Sequence, residues 1–248
     1  MKKSVDRFTD RVVDYEKYRP NYPHQILKIL SETIGFNKDW LVADIGSGTG
    51  LSSKLFVDNG NNIFGVEPNR AMREASIHHF KKNRNFIAVN ASAEDTKIDE
   101  DCVDLVFAGQ AFHWFDMERS KLEFNRILKD DGHIVLVWNQ RDPEDAFQND
   151  YENFLMKHIS EYKTVTQKNI TDNQIGKFFE PRTFRRISIQ NEQTFDLKAF
   201  FGRARSSSYF PNEESTSKKL FHGLSALFEE YAVGNKLLFK YQTDLYIA

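Results

Sequence analysis

The 248-residue chain lacks several features that mark common classes of protein. Its single cysteine, Cys102, excludes an internal disulfide and a metal site built from several cysteines, and we expect no bound metal. It also lacks a basic excess, since 34 lysines and arginines face 36 aspartates and glutamates. No apolar run approaches the ~20 residues of a membrane span, and residues 1–7 lack the apolar core of a signal peptide. We therefore expect a cytoplasmic protein that binds neither nucleic acid nor membrane.

Apolar runs and helix-like segments alternate over the first half of the chain. Five runs have the composition of buried strands, at residues 40–45, 63–66, 85–89, 103–108 and 134–138. Helical spacing of apolar residues predicts helices at 51–58, from 69 onward, and at 119–128. A turn is predicted at 130–132, where two aspartates precede a glycine. This alternation predicts a parallel α/β sheet with right-handed crossovers and helices on both faces.

The second half of the chain has longer helical segments and two strands with alternating apolar residues. The spacing predicts helices at residues 151–162, 197–205 and 218–231, and strands within 182–195 and at 237–247. No internal repeat or low-complexity linker separates these segments from the first half. We therefore predict one continuous α/β sheet with a helical cap inserted between its late strands.

The motif D-I-G-S-G-T-G at residues 44–50 joins the first predicted strand to the helix that follows. Its alternate glycines allow positive φ angles and close approach of a ligand, and the helix presents free N–H groups. Ligands of α/β sheets bind at this end of the strands, where the strand order reverses. Glu67 ends the second strand, where a carboxylate can accept bonds from both hydroxyls of a ribose. These features predict a nucleotide-like cofactor.

The position of Asp44 discriminates between two classes of cofactor. Dinucleotide enzymes carry G-x-G-x-x-G, which places a helix N-terminus against a pyrophosphate. Here an acid stands two residues before the first glycine, and the pattern reads D-x-G-x-G-x-G. A carboxylate is unfavourable beside a pyrophosphate and favourable beside a cationic amino group. The motif therefore favours S-adenosylmethionine (SAM), which bears an amino acid, over NAD.

Five segments extend this pattern along the chain, at residues 42–50, 65–68, 91–95, 104–115 and 126–132. In these segments the chain resembles the class I SAM-dependent methyltransferases, and within them the type 11-like small-molecule group that includes trans-aconitate methyltransferase-like proteins. The resemblance is dense over about residues 8–140. It implies a Rossmann-like sheet with an antiparallel last strand. It also implies one domain over 1–248, with N-terminal lid helices (1–35), a SAM-binding core (36–140), a cap and late-strand substrate region (141–235) and a final strand (236–248).

The resemblance implies a set of cofactor-binding residues, namely Arg19, Asp44, Gly46, Ser47, Gly48, Gly50, Glu67, Ala93, Glu94 and Gln110. The glycine loop and Asp44 would hold the methionine part of SAM, together with Gln110 at the end of the fourth strand. Glu67 would bind the ribose, and residues 93–94 the adenine. Arg19 lies in a segment that resembles a family lid. It either pairs with the carboxylate of SAM or is an ordinary surface arginine.

A second set comprises candidate substrate-lining residues, namely Tyr18, His113, Trp114, Asn139, Arg141, Arg203 and Tyr209. His113 follows the fourth strand and is either a general base or a lining residue, because methyl transfer to a carboxylate needs no base. Arg203 and Tyr209 lie in a segment that resembles a family cap. Arginines there would suit an organic acid, since their forked donors match a carboxylate. Otherwise they are surface or helix-capping residues.

These patterns predict a SAM-dependent methyltransferase that acts by in-line displacement on a small-molecule acceptor such as a carboxylic acid, as a monomer or homodimer. One alternative is a catalytically degenerate SAM-binding regulatory or interaction protein, which would keep the same cofactor motifs. Another is an NAD-dependent oxidoreductase, which the glycine spacing disfavours. A nucleic-acid methyltransferase is disfavoured because G-Q-A-F occupies residues 109–112, where an Asn/Asp-Pro-Pro-aromatic motif would be expected.

Overall fold

The computed structural model describes residues 9–163 and 170–248, so residues 1–8 of the predicted lid lie outside the described part. The strands are β1 (Leu41–Ile45), β2 (Asn62–Val66), β3 (Phe86–Val89), β4 (Val103–Gly109), β5 (Leu128–Arg141), β6 (Arg185–Phe195) and β7 (Leu237–Ile247). The helices are α1 (Val12–Tyr18), α2 (Gln25–Ile34), α3 (Leu51–Asn59), α4 (Arg70–His79), α5 (Met117–Ile127), α6 (Ala146–His158), α7 (Asp172–Phe179), α8 (Leu197–Arg205) and α9 (Glu214–Tyr231).

The strands form one seven-stranded sheet in the order β3-β2-β1-β4-β5-β7-β6. Strands β1 to β5 run parallel to one another, and β7 is antiparallel to both β5 and β6. The order reverses between β1 and β4, because the chain moves outward to β3 and then returns to the other side of β1. The carboxyl ends of β1 and β4 therefore border the crevice where such sheets bind ligands.

Both faces of the sheet are covered by helices, as the sequence predicts. Residues 134–138 of β5 show this directly: Ile134 and Leu136 pack in one apolar cluster, and Val135 and Val137 pack in the other. The first cluster includes side chains of α5 and α7, and the second includes side chains of α2 and α3. A strand buried on both faces has no polar positions to alternate, which explains its continuous apolar run.

A third apolar cluster forms the cap, as predicted, beside the late strands. Helix α6 follows β5, and helices α8 and α9 lie between β6 and β7 in the chain. The cluster is largely aromatic, with Phe147 and Tyr151 of α6 packed against Phe200 of α8 and Phe239 of β7. These rings meet mostly edge to face or tilted, so the cap is a packed core continuous with the end of the sheet.

Two elements differ from the sequence prediction. The turn predicted at residues 130–132 lies inside β5, and the register against β4 shifts between Val103 and Leu105. A bulge of this kind lets a strand carry extra polar residues near the sheet margin. Helix α7 was not predicted, although Thr171 and Gln174 form a capping box at its start. The first turn of α7 is polar, so the sequence shows little of its apolar face. That face includes Phe178 and packs on the sheet.

Candidate functional site

Two adjoining cavities lie at the crevice between β1 and β4. The Glu67 cavity has a volume of ≈ 220 Å³ and takes its name from a carboxylate in its wall. The Arg203 cavity has a volume of ≈ 100 Å³ and lies toward the cap. The residues that line both cavities are Tyr15, Gly46, Gly109, Gln110 and Trp114. The shared wall means that compounds bound in the two cavities would meet near Gly46 and Gln110.

The glycine loop after β1 borders both cavities. Gly46, Gly48 and Gly50 have φ angles of +70°, +57° and +91°, which side-chain-bearing residues rarely adopt. At Gly46 a Cβ atom would lie 2.5 Å from the Cβ of Ala111, so the close approach also requires glycine. Gly50 instead faces the ring of Phe80, 2.5 Å from where its Cβ would be, and it does not line either cavity. Gly50 is thus placed to support the loop from behind.

Asp44 is fully buried beneath this loop, at the end of β1. Its Oδ2 accepts hydrogen bonds from the hydroxyls of Ser52, at 2.7 Å, and Ser53, in the first turn of α3. Its Oδ1 has no hydrogen-bond partner among the described residues. Burial raises the pKa of the Asp44 carboxyl to about 6, although the two serine hydroxyls act in the opposite direction. A cationic amino group beside Oδ1 would satisfy this oxygen and restore the ionised form.

Glu67 is buried in the wall of its cavity, directly after β2. Its Oε1 accepts the N–H of Asn69 at 2.7 Å, and its Oε2 accepts the N–H of Gly48 at 3.0 Å. Burial raises the pKa of the Glu67 carboxyl to about 7, against the effect of these two bonds. Each oxygen keeps further acceptor capacity, so a pair of hydroxyls can still bind.

The rest of the Glu67 cavity combines flat apolar surface with one more acid. Ala93 and Glu94 line it, as do Met72, Trp114 and Phe115. The Oε1 of Glu94 accepts the N–H of Asp116 at 2.9 Å, which fixes the start of α5 against this loop. Apolar and aromatic walls with one acid suit a planar heterocycle that carries an amino group. The sequence prediction did not include Met72.

Three arginines from separate elements converge on the Arg203 cavity. Arg203 is buried on α8, and it donates to the hydroxyls of Tyr241 and Ser207, each at 3.2 Å. Arg19 donates to the carbonyl of Ser206 at 2.9 Å, while its Nε has no partner in the described part of the chain. Burial and the charge of Arg203 lower the pKa of Arg19 to about 10.

Arg141, the third arginine, differs from the other two because it has an acidic partner. It lies at the end of β5, forms an ion pair with Glu152 of α6, and also contacts the hydroxyl of Tyr162. No carboxylate of residues 9–163 or 170–248 forms an ion pair with Arg19 or Arg203. The cavity therefore has an excess of buried positive charge, which favours an anionic ligand.

His113 lines the Arg203 cavity from a short 3₁₀ turn after β4. Burial, and secondarily the charge of Arg19, lower the pKa of the His113 imidazole to about 4. Its Nδ1 is buried, with no hydrogen-bond partner in the described structure. The ring is consequently neutral near pH 7, and it would be a weak proton acceptor there.

Gln110 and Asn139 join the ends of β4 and β5 at the cavity wall. Gln110 has a φ of +56°, an uncommon conformation for a residue other than glycine, and its Nε2 donates to the carbonyl of Asn139 at 2.9 Å. The Oε1 of Gln110 is buried and has no partner among the described residues. The Oδ1 of Asn139 accepts from Thr243 and Asn191, so this side chain also holds the antiparallel strands in place.

The predicted site residues are largely brought together, with Tyr18 as the main exception. Its ring packs against Gly202 in the apolar cluster of the cap, and it does not line the Arg203 cavity. Tyr15 and Tyr22, three residues before and four after it, line that cavity instead. Tyr15 and Tyr18 lie on α1 but point to different surroundings, and Tyr22 lies in the loop before α2. The sequence carries no signal that chooses between these tyrosines. Three other predicted site residues do line the Arg203 cavity, namely Ser47, Trp114 and Tyr209.

Buried polar atoms without partners are concentrated around these cavities. Among the described residues they include Oδ1 of Asp44, Oγ of Ser47, Oε1 of Gln110, Nδ1 of His113 and Nε of Arg19. Unsatisfied groups of this kind are costly unless a ligand or water binds them. An acid at one end and an arginine at the other match the amino and carboxylate groups of an amino acid. The residues present therefore fit a cofactor with a ribose, a base and a methionine.

Comparison with known proteins agrees with this geometry. Residues 43–136 match the family model described as "Methyltransferase domain". An uncharacterized methyltransferase of Schizosaccharomyces pombe is 33% identical over 136 residues, which cover 54% of this chain and 53% of that protein. An uncharacterized methyltransferase of Mycobacterium tuberculosis is 32% identical over 142 residues, which cover 54% of this chain and 53% of that protein. The chain thus spans about half the length of the curated relatives it matches.

Solved structures extend the comparison to nearly the whole chain. Phosphoethanolamine N-methyltransferase 2 of Haemonchus contortus, in complex with phosphomonomethylethanolamine and S-adenosylhomocysteine, has a TM-score of 0.59 at 14% identity, covering 98% of this chain and 58% of that one. Geranyl diphosphate methyltransferase in complex with SAM has a TM-score of 0.52 at 13% identity, covering 91% and 84%. The sheet and the matched segment define a Rossmann-like methyltransferase fold. Over residues 43–136 the chain is similar to methyltransferase domains, in agreement with the class I SAM-dependent methyltransferases that the sequence resembles.

Among the helices of residues 9–163 and 170–248, none has both the length and the hydropathy that crossing a bilayer requires.

Proposed function

We propose that this chain transfers the methyl group of SAM to a small-molecule acceptor that is an organic acid. The observation that carries the proposal is the junction of two unlike cavities at Gly46 and Gln110. One has the groups that suit a methionine-bearing nucleotide. The other has the buried guanidinium of Arg203, which has no acidic partner among the described residues.

The residues of the Glu67 cavity and the glycine loop would hold the cofactor. Asp44 would face its amino group, Arg19 its carboxylate, and Glu67 its ribose hydroxyls. Residues 93–94 and the apolar wall around them would contact the adenine. When bound, SAM supplies an electrophilic methyl group on a sulfonium. The chain's own contribution is to fix the donor at the shared wall, where Gln110 and Trp114 face both cavities.

The acceptor would bind in the Arg203 cavity through its acidic group. A carboxylate beside Arg203 gains two parallel charged hydrogen bonds and relieves the excess of buried positive charge. The two solved methyltransferases compared above are named for compounds that bear phosphate groups, which is compatible with an anionic acceptor here. Holding acceptor and donor in line while water is excluded can supply up to about 7–11 kcal/mol of the barrier reduction.

Isothermal titration and a radiolabelled methyl-transfer assay test the proposal together. We expect the chain to bind SAM and S-adenosylhomocysteine, and to methylate members of a panel of carboxylic acids in preference to matched neutral phenols and amines. Failure to bind either nucleoside at millimolar concentration would refute the cofactor assignment. Binding without any methyl transfer would instead favour the catalytically degenerate regulator. Binding of NAD in preference to SAM would favour the oxidoreductase.

A variant of Arg203 tests the acceptor site separately. We expect Arg203→Gln to raise the KM for acidic acceptors by about 10–100-fold, because a charged hydrogen-bond partner is lost, while the affinity for SAM stays the same. Arg185→Gln is the matched control, since Arg185 is exposed at the edge of the sheet. An unchanged KM in Arg203→Gln would remove this residue from the acceptor site.

A further inference from the structure

The phenol of Tyr209 lies where the three arginines of the Arg203 cavity converge. Tyr209 follows α8, and its largely buried ring lines the cavity together with Arg19, Arg141 and Arg203. The ring of Tyr162 packs edge-on against it, with centroids 4.7 Å apart and planes at 88°. This contact holds the ring of Tyr209 in place. The arginines come from three separate parts of the fold, so the cationic environment is built by tertiary structure rather than by a local sequence run.

We propose that Tyr209 is the group that accepts a proton from the methyl acceptor, and that the accepting atom is therefore the oxygen of a hydroxyl group on an organic acid. The inference rests on the proposed function, and it adds a catalytic residue and the nature of the accepting atom. A carboxylate nucleophile would need no proton acceptor, whereas an alcohol or phenol does.

The charged groups around Tyr209 favour its ionised form. Burial opposes ionisation, but the charges of Arg141 and Arg203, a hydrogen bond with Ser207 and the charge of Arg19 outweigh it, so the pKa of Tyr209 lies below its ordinary value. The carboxylate of Glu152 acts against this effect, and it is already occupied by Arg141.

The other titratable groups nearby are poorer candidates. Burial raises the pKa values of Tyr151 on α6 and of Tyr162, so both stay protonated. Tyr241 on β7 accepts a hydrogen bond from Arg203. His113, with a pKa lowered to about 4, is a much weaker base than a tyrosine phenolate. On its outer side Tyr209 borders a groove that holds Arg11, His158 and Glu161.

The O–H bond of the acceptor breaks and its proton goes to the phenolate oxygen of Tyr209. The acceptor oxygen forms a bond to the methyl carbon, and the carbon–sulfur bond breaks with its electron pair going to sulfur. The products are a methyl ether and the neutral thioether. Tyr209 then loses the proton to water, so one proton is released in each turnover.

An ultraviolet pH titration of the ligand-free chain tests the ionisation of Tyr209 without any acceptor. We expect the wild type to show one tyrosine that ionises at lower pH than the others, and Tyr209→Phe to lose that transition. Tyr162→Phe is the matched control, because it removes the neighbouring cavity tyrosine and should keep the transition. If the ultraviolet titration curves of the wild type and Tyr209→Phe show no difference in this early transition, the proposal is overturned.

Methyl transfer to a panel of hydroxy acids tests the catalytic role. We expect Tyr209→Phe to lower kcat by about 10²–10⁴-fold with little change in KM, and to abolish the rise in rate with pH that the wild type shows. Titration with SAM checks that the variant still binds the donor. A variant that keeps the same rate and pH profile overturns the role of Tyr209.

Two further outcomes separate this inference from the proposed function. If the wild type binds SAM and methylates only simple carboxylates, at a rate that does not rise with pH, the proposed function stands and the role of Tyr209 fails. If the wild type does not bind SAM, both fail. Methylation of hydroxy acids at the hydroxyl, lost in Tyr209→Phe, supports both.

Discussion

At the scale of single residues, the two buried carboxylates beside the glycine loop control how the site responds to pH. Asp44 and Glu67 have pKa values raised to about 6 and about 7. Acids with raised pKa values bind more protons in the folded chain than in the unfolded chain. The free energy of unfolding of the ligand-free chain therefore falls as pH rises from about 4 to about 7 through these two groups. A cationic amino group and ribose hydroxyls both favour the ionised carboxylates.

We therefore expect SAM binding to strengthen with pH over the same window and to release protons. Isothermal titration near pH 6, in buffers that differ in their heats of ionisation, measures the number of protons released. Asp44→Asn serves as the comparison, because it removes one titrating group and should reduce the proton release. Binding that is equally strong at about pH 5 and about pH 7 would contradict the placement of SAM beside these acids.

Glu67 gives a second prediction at this scale. Glu67→Gln should weaken SAM binding by about 1–3 kcal/mol, because charged hydrogen bonds to the ribose are replaced by weaker ones. Glu74→Gln is a control on the neighbouring helix, since Glu74 is exposed and pairs only with Arg70 in the described structure. Equal dissociation constants for the Glu67 variant and the wild type would exclude Glu67 from the donor site.

At the scale of elements, the loop between β1 and α3 depends on close packing as well as on backbone conformation. Gly46 and Gly35 have nearly equal φ angles, +70° and +72°, but only Gly46 would place a Cβ against a neighbour, Ala111. The pair therefore separates the cost of a positive φ from the cost of a steric overlap.

We expect Gly35→Ala to lower the free energy of unfolding by about 1–2 kcal/mol, from backbone strain alone. Gly46→Ala should cost about 1–3 kcal/mol more, because the loop must shift away from Ala111, and it should also weaken SAM binding. Urea unfolding and isothermal titration measure the two effects. If both variants lose the same stability, the overlap at Gly46 is relieved by an inexpensive movement and this account of the loop is wrong.

Much of the fold could be predicted from the sequence because strand and helix periodicities are local. The glycine motif and Glu67 locate the crevice, since both follow strands whose ends meet at the reversal of strand order. The length of β5 could not be predicted, because its polar residues are tolerated only through a bulge against β4. The convergence of Arg19, Arg141 and Arg203 likewise depends on tertiary packing across some 180 residues, and no local pattern reports it.

At the scale of the whole molecule, the N-terminal segment connects the core with the cap. Arg11 is buried, and it donates to the carbonyls of Arg205 and Ser207, each at 2.8 Å, and to that of Phe210. Asp14 on α1 forms an ion pair with Arg205 at 2.7 Å. On the other side of α1, Glu16 contacts His79 at the end of α4 at 3.2 Å.

We expect Arg11→Gln to lower the free energy of unfolding by about 2–3 kcal/mol, because buried carbonyls lose a charged donor. Residues 205–212 should also become more sensitive to proteolysis, and kcat should fall because Tyr209 lies in this loop. Arg70→Gln is the control, because it breaks an exposed ion pair with Glu74 on α4 that contributes less than about 1 kcal/mol. An unchanged proteolysis pattern in Arg11→Gln would contradict the connecting role.

The fastening of α1 on both sides has a kinetic consequence. Tyr15 on this helix borders both cavities, so a displacement of α1 alters the surroundings of both compounds at once. If the proposed function is right, we expect departure of the two products to depend on a common opening event, whose frequency depends on contacts that also stabilise the fold. A change that tightens these contacts would make the protein more heat-resistant and its turnover slower, even if bond formation itself were unaffected.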